Sequence, residues 1–198
     1  WRCGEAGGCR WRGRRTVEVR FDGVPLALPA GQQAALVAAY AEPPRAYHHA
    51  GHVDEVLRHY REVAAGPGWR RPREVALAVL YHDAVYVPGR SDNEARSARL
   101  AVSEVQRWLP AEGLDVAWIA GLVELTARHG SFAPGDFSGE EADDTRHFLD
   151  CDMAILGASP DAFDAYDAAI AEEYRNALPD LVAPKTWHAT FEASTEKD

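Results

Sequence analysis

The stretch from Arg73 to Tyr86 constrains this chain most, because Val75, Leu77, Ala78, Val79 and Leu80 give it apolar side chains nearly all round. A helix of that kind has no polar face to turn to water, so it belongs at the centre of a domain with neighbours on every side. The reading places one helix over residues 73–86 and stops it at Pro88-Gly89. His82 follows Val75 and Val79 at helical spacing, so it points into the same interior. Asp83 comes next in the chain.

The surrounding sequence is amphipathic and helical rather than alternating. A short helix is expected over Ala34–Tyr40, ahead of Pro43-Pro44. A second spans His49 to Val63, with Val53, Val56, Leu57 and Tyr60 in register and Gly66-Pro67-Gly68 as its stop. Ser91 and Glu94 have capping-box spacing and open a helix that carries Ala98, Ala101, Val105 and Trp108. Asp115 caps the next, with Ile119, Leu122 and Val123 inward. A Gly/Pro-rich loop over 130–139 precedes a helix from Glu140 to Leu156, closed by Gly157. Ser159-Pro160 starts the last, with Phe163, Tyr166, Ile170 and Tyr174 on one face. Weak alternation around Asp22-Gly23, over Thr16–Leu28, allows a short hairpin. The expected fold is all-α, a single bundle of about seven helices over residues 31–180. A loosely ordered lead (1–30) and a tail (181–198) flank it.

Bulk properties narrow the function classes. A chain of 198 residues, 46% apolar and 26% charged, suits one soluble domain. It contains no apolar run long enough to cross a bilayer and no signal-peptide pattern, so a cytosolic location without membrane association is expected. The net charge of -10 argues against broad nucleic-acid binding, even though residues 1–20 hold six arginines against two acids. A small phosphorylated partner stays compatible, because a bound cation reverses the local field. Cys3, Cys9 and Cys151 fit neither a disulfide framework nor a zinc ribbon, and Cys151 reads as a small core residue.

Four places hold metal-ligand side chains where apolar ones belong. His52 lies four residues before Val56 and shares its buried face. His82 and Asp83 end the central apolar run. Asp152 falls on the stripe Phe148, Leu149, Ile155, Leu156, whereas Asp150 points nearly opposite. His129 ends its own helix. Each alone has a structural explanation; a lone buried histidine is usually a hydrogen-bonded core residue, and Asp152 could pair with Arg128 or Arg146. His49, His59, His147 and His188 are read in that ordinary way. Together, inward nitrogen and oxygen donors on three separate helices point to a divalent cation.

The order of these groups resembles the HD superfamily of metal-dependent phosphohydrolases, and one predicted branch of it more closely. The resemblance is carried by Arg45–His52 (RAYHHAGH), Tyr81–Tyr86 (YHDAVY), Asp92–Ala98 (DNEARSA), Thr126–His129 (TARH) and Phe148–Gly157 (FLDCDMAILG), with the stretch Tyr166 to Tyr174. It covers residues 36–178; residues 1–30 carry none of it. His49 stands where a small polar residue, often Asn, is expected. The resemblance implies His52, His82, Asp83 and Asp152 on one divalent ion, with His82 and Asp83 as the catalytic pair. Asp150 is the rival for the fourth position, and the helical-face argument favours Asp152. His48 and His129 are implied to hold a second metal, contact phosphate or support the ligands. Asn93 and Glu94 are implied to bind substrate or support the site.

The expected reaction is hydrolysis of a phosphomonoester or nucleotide phosphate by metal-activated water. Mixed ligation suits Mn, Co, Ni, Fe or Zn, with Mg also open. A di-iron oxygenase of the same superfamily and a non-catalytic helical module that binds a nucleotide or metal remain as alternatives. A zinc peptidase is disfavoured, since His49 occupies the place where an HExxH motif needs its Glu.

Overall fold

The computed structural model describes Val19 and residues 21–177. The lead up to Glu18, with Cys3 and Cys9, and the tail with His188 lie outside the described residues. The described residues form seven α-helices: α1 (Ala30–Ala41), α2 (Ala50–Ala65), α3 (Pro72–Tyr81), α4 (Asn93–Trp108), α5 (Val116–Leu125), α6 (Ala142–Asp152) and α7 (Pro160–Ala177). Short 3₁₀ turns join them at Thr126–Ser131, Pro134–Asp136 and Met153–Gly157. The chain is all-α, a single helical bundle, and no helix among the described residues is long and apolar enough to cross a membrane.

The apolar run forms the central helix, as its composition demands. Every residue of α3 from Val75 to Tyr81 is buried, with α2, α4, α5 and α6 packed around it. Tyr40 of α1 fixes the top of this packing by donating its hydroxyl to the Leu80 carbonyl. Gln32 donates its amide to the Tyr81 hydroxyl at 3.0 Å. Gly31 lets α1 approach α4: a Cβ there would lie 2.3 Å from the Trp108 ring. Val19 and Leu28, inside the expected lead, are buried in the same core. Asp22-Gly23 is a turn, with Gly23 at φ +82, but no strand flanks it among the described residues.

Three local expectations change. The first concerns the end of α3, which comes at Tyr81 rather than Tyr86. Two other parts of the chain take up the backbone that would have continued it. The Arg45 guanidinium donates to the carbonyls of Asp83 and Ala84, and Ser97 Oγ both accepts from Val85 N–H and donates to its carbonyl. Satisfied from outside, these groups no longer need helical partners. The second concerns α4, which opens at Asn93 with Asp92 as its cap residue and no side-chain cap bond, so the Ser91–Glu94 capping box is not made. Asp92 instead pairs with Arg90, while Asn93 clamps the preceding loop through Val87 N–H and C=O. The third concerns α6, which tightens into a 3₁₀ turn after Asp152, so Leu156 swings out of the apolar stripe and is 54% exposed. The Asp115 cap of α5 is made, through Trp118 N–H.

Candidate metal centre

Two imidazoles meet at the middle of the bundle. His52 sits in the first turn of α2, whose start is set by His49: its Nδ1 accepts from Gly51 N–H. A Cβ at position 51 would come 2.6 Å from the His49 ring, which explains the glycine. His82 caps the end of α3. Both rings are buried, and their Nε2 atoms lie 3.0 Å apart. His82 Nδ1 donates to the Val79 carbonyl at 2.8 Å, which leaves Nε2 as the lone-pair nitrogen when the ring is neutral.

Two carboxylates close the cluster. Asp83 Oδ2 is 3.1 Å from His82 Nε2 and 3.5 Å from His52 Nε2. Asp152 Oδ1, at the end of α6, is 3.2 Å from His52 Nε2 and 3.5 Å from His82 Nε2. His52, His82 and Asp83 by themselves form a buried group able to hold a metal ion. Burial opposes charge on all four side chains, yet the mutual attraction wins. Asp152 and Asp83 hold His52 and His82 above the ordinary histidine range. The imidazoles in turn hold Asp83 and Asp152 well below the ordinary carboxylate range. The cluster therefore demands positive charge at its centre, whether as protons or as a cation.

Further groups brace the cluster. His129 Nδ1 donates to Asp152 Oδ2 at 2.9 Å, so Asp152 meets three imidazoles. Arg128 lies over the Phe132 ring, and Arg146 donates to Asp143 and to the Phe137 carbonyl. His48 Nδ1 lies 2.7 Å from Glu173 Oε2, and its ring stacks on Tyr86 at 3.9 Å. A carboxylate only accepts, so Nδ1 carries the proton. Glu173 Oε1 accepts the backbone N–H groups of Ala46, Tyr47 and His48 at 2.8, 2.8 and 2.9 Å. One fully buried carboxylate on α7 thereby fixes the segment that delivers His48 and His52.

The cluster opens into a cleft of about 590 Å³. His48, His52, Asp83, His129, Asp152 and Glu94 give it a polar end. Tyr47, Tyr166, Ile170 and Leu156 are among the residues of its apolar wall.

No family model matches the chain, and neither a curated protein nor a solved structure matches it.

The structure brings most of the sequence-derived site residues together. His52, His82, Asp83 and Asp152 converge, His48 and His129 adjoin them, and Glu94 lines the cleft. Two residues do not join. Asp150 is exposed, two positions along α6 from Asp152 and on another face. Asn93 is buried, but its amide is spent on Val87 and Arg90 backbone groups, so it shapes a loop instead of contacting a ligand. His49, His59 and His147 act as ordinary structural or surface residues: a helix cap, a partner of Glu62 and an edge contact to Trp69. Cys151 is buried, and burial pushes its thiol up to about 12.

Sequence reasoning gave no role to Glu173, Arg45, Tyr47 or Tyr86. A signal for Glu173 existed. It lies seven residues after Tyr166 and three after Ile170, an acid on an inward stripe like Asp152.

Proposed function

We propose that this protein is a divalent-metal-dependent phosphohydrolase of the HD superfamily. The observation that carries the reading is the convergence of two buried imidazole Nε2 atoms, 3.0 Å apart, with two carboxylates from separate parts of the chain, Asp152 buried and Asp83 partly buried. Such groups are costly in an apolar bundle unless paired with charge, and mixed N/O donors suit Mn, Co, Ni, Fe or Zn, with Mg also admissible. His52, His82, Asp83 and Asp152 would hold the ion. A bound cation supplies Lewis acidity and an activated water.

The remaining chemistry belongs to the side chains. Water attacks phosphorus, the bond from phosphorus to the ester oxygen breaks, and the alcohol and inorganic phosphate leave. Asp83, the more exposed of the two clustered carboxylates, accepts a hydrogen bond from the attacking water and orients it, and the water's proton passes to the departing ester oxygen. His48 and His129, each donating Nδ1–H to a carboxylate, donate Nε2–H to a phosphate oxygen or to the leaving oxygen when the ring is an imidazolium. The apolar helices around them keep bulk water from the cluster.

The test pairs metal analysis of the purified protein with phosphate release from nucleotides and simple phosphomonoesters after addition of Mn, Co, Ni or Mg. Metal-dependent phosphate release supports the reading. Stoichiometric iron without phosphate release would move it to a di-iron oxygenase. No metal and no release with any cation would overturn it.

A further inference from the structure

The cleft holds far more space than one phosphate group needs: about 590 Å³ is within the range of sites that bury a whole organic ligand. Its polar groups crowd at the metal end. Much of the remaining lining is aromatic and aliphatic and begins beside the cluster. Tyr166 of α7 meets Tyr47 edge-on at 4.7 Å, Tyr47 continues to His52 at 4.8 Å, and Ile170 lies one turn beyond Tyr166. Leu156 lines the same space while 54% exposed. Phe163 stands 5.7 Å from Tyr166 and is itself exposed. Apolar side chains arranged around one wall of a polar-ended cleft are what an organic group covers.

The charge of the cleft limits how many phosphates that ligand carries. Among the described residues that line it there is no Lys or Arg, whereas Asp83, Glu94 and Asp152 are acids. The nearby Arg45 guanidinium is committed to the carbonyls of His48, Asp83 and Ala84. One divalent ion is already neutralised by Asp83 and Asp152, so a single phosphate dianion relies on the imidazoles of His48 and His129 that line the cleft. The further charges of a diphosphate or triphosphate would face carboxylates with no lysine or arginine among the described lining residues to offset them.

Building on the phosphohydrolase reading above, we infer that the substrate is a monophosphate ester of an aromatic or bulky apolar alcohol. Its phosphate lies at the His52–Asp152 end and its organic group against Tyr47, Tyr166, Ile170 and Leu156. Hydrolysis transfers the phosphoryl group to water and releases the alcohol into that wall, one proton moving from the water to the departing oxygen.

The test compares benzyl phosphate, ethyl phosphate and ATP with the metal-loaded protein. It also titrates benzylphosphonate and ethylphosphonate calorimetrically, which reads binding without turnover. Benzyl phosphate is expected to have a kcat/KM about tenfold above ethyl phosphate, with benzylphosphonate binding about tenfold tighter than ethylphosphonate. ATP should be the poorest of the three. Tyr166→Ala and Ile170→Ala should narrow the benzyl-over-ethyl ratio, and Tyr166→Phe should keep it, with melting curves confirming that each variant folds. Equal handling of benzyl and ethyl phosphate, or preference for ATP, would overturn the substrate class while leaving the reaction class intact. Failure of every phosphate ester, with phosphonates still bound, would instead strike the phosphohydrolase reading.

Discussion

His52 Nε2 and His82 Nε2 lie 3.0 Å apart although 30 positions separate them in the chain. Neither ring could hold that position alone. His82 is turned by its bond to the Val79 carbonyl, and His52 is carried in by the first turn of α2. Substituting His82→Ala or Asp83→Ala is expected to lower metal affinity by more than about 100-fold, since even supporting groups around a metal commonly matter 10- to 100-fold. Circular dichroism should show most helicity retained. Full metal retention in either variant, measured by equilibrium dialysis, would remove that residue from the ligand set.

Asp150 and Asp152 separate cleanly. Asp152→Asn should weaken metal binding as strongly as loss of a histidine ligand, because its carboxylate sits among three imidazoles. Asp150→Asn, at an exposed position, should leave affinity at the wild-type value. A reversed ranking in the same dialysis assay would transfer the assignment to Asp150.

Protons and metal should compete for the cluster. His52 and His82 have pKa values raised above the ordinary 6.5, so their protonation favours the folded, metal-free protein below that value. That share of stability is lost as pH climbs through the raised folded values. A metal-free sample should therefore lose melting temperature over this interval. Metal at a thousandfold excess over its Kd should restore about 4 kcal/mol. Calorimetric titration of metal in buffers of different ionisation enthalpy should register proton release. Metal binding with no proton release at pH 6.5 would contradict the raised values.

Glu173 should behave as the anchor of α7. Glu173→Ala removes the acceptor of three backbone N–H groups and of His48, at an expected cost on the order of 3 kcal/mol. Its carboxyl is held below the ordinary 4.5: burial opposes the charge, but His48 and the backbone donors outweigh it. The stabilisation is thus complete above 4.5 and fades as pH falls through the lower folded value. Hydrogen exchange should show α7 and residues 46–48 losing protection together in the variant. Loss of protection in α7 alone would mean that the two segments are held independently.

Asn93→Ala should destabilise the protein by about 2 kcal/mol through the loop it clamps, and leave metal affinity unchanged. A drop in affinity at matched folding would return Asn93 to the site.

The helices were readable because burial writes its period into sequence. The uninterrupted apolar face of α3 and the stripes of α2 and α5 need no tertiary information. The clustered groups were readable for the converse reason: His52, His82 and Asp152 are polar at positions whose neighbours are apolar. Helix ends were less legible. The stop of α3 at Tyr81 depends on Arg45 and Ser97, which reach it from other parts of the chain. The place of Asn93 was less legible for a related reason. Its nearness to the His-Asp pair in sequence did not say that its amide would turn to the backbone of Val87. Glu173 shows a different limit, since its partners are N–H groups that carry no side-chain signature and lie 125 to 127 positions away.

That long reach also orders the events of synthesis. Asp152, the last of the four clustered side chains, leaves the ribosome before Glu173 does. A nascent chain thus contains all four clustered side chains while the Tyr47–His48 segment still lacks its acceptor and the cleft still lacks its α7 wall. A product cut short between α6 and α7 would carry all four side chains of the cluster in its sequence, yet lack both the carboxylate that fixes the segment delivering His52 and one wall of the pocket.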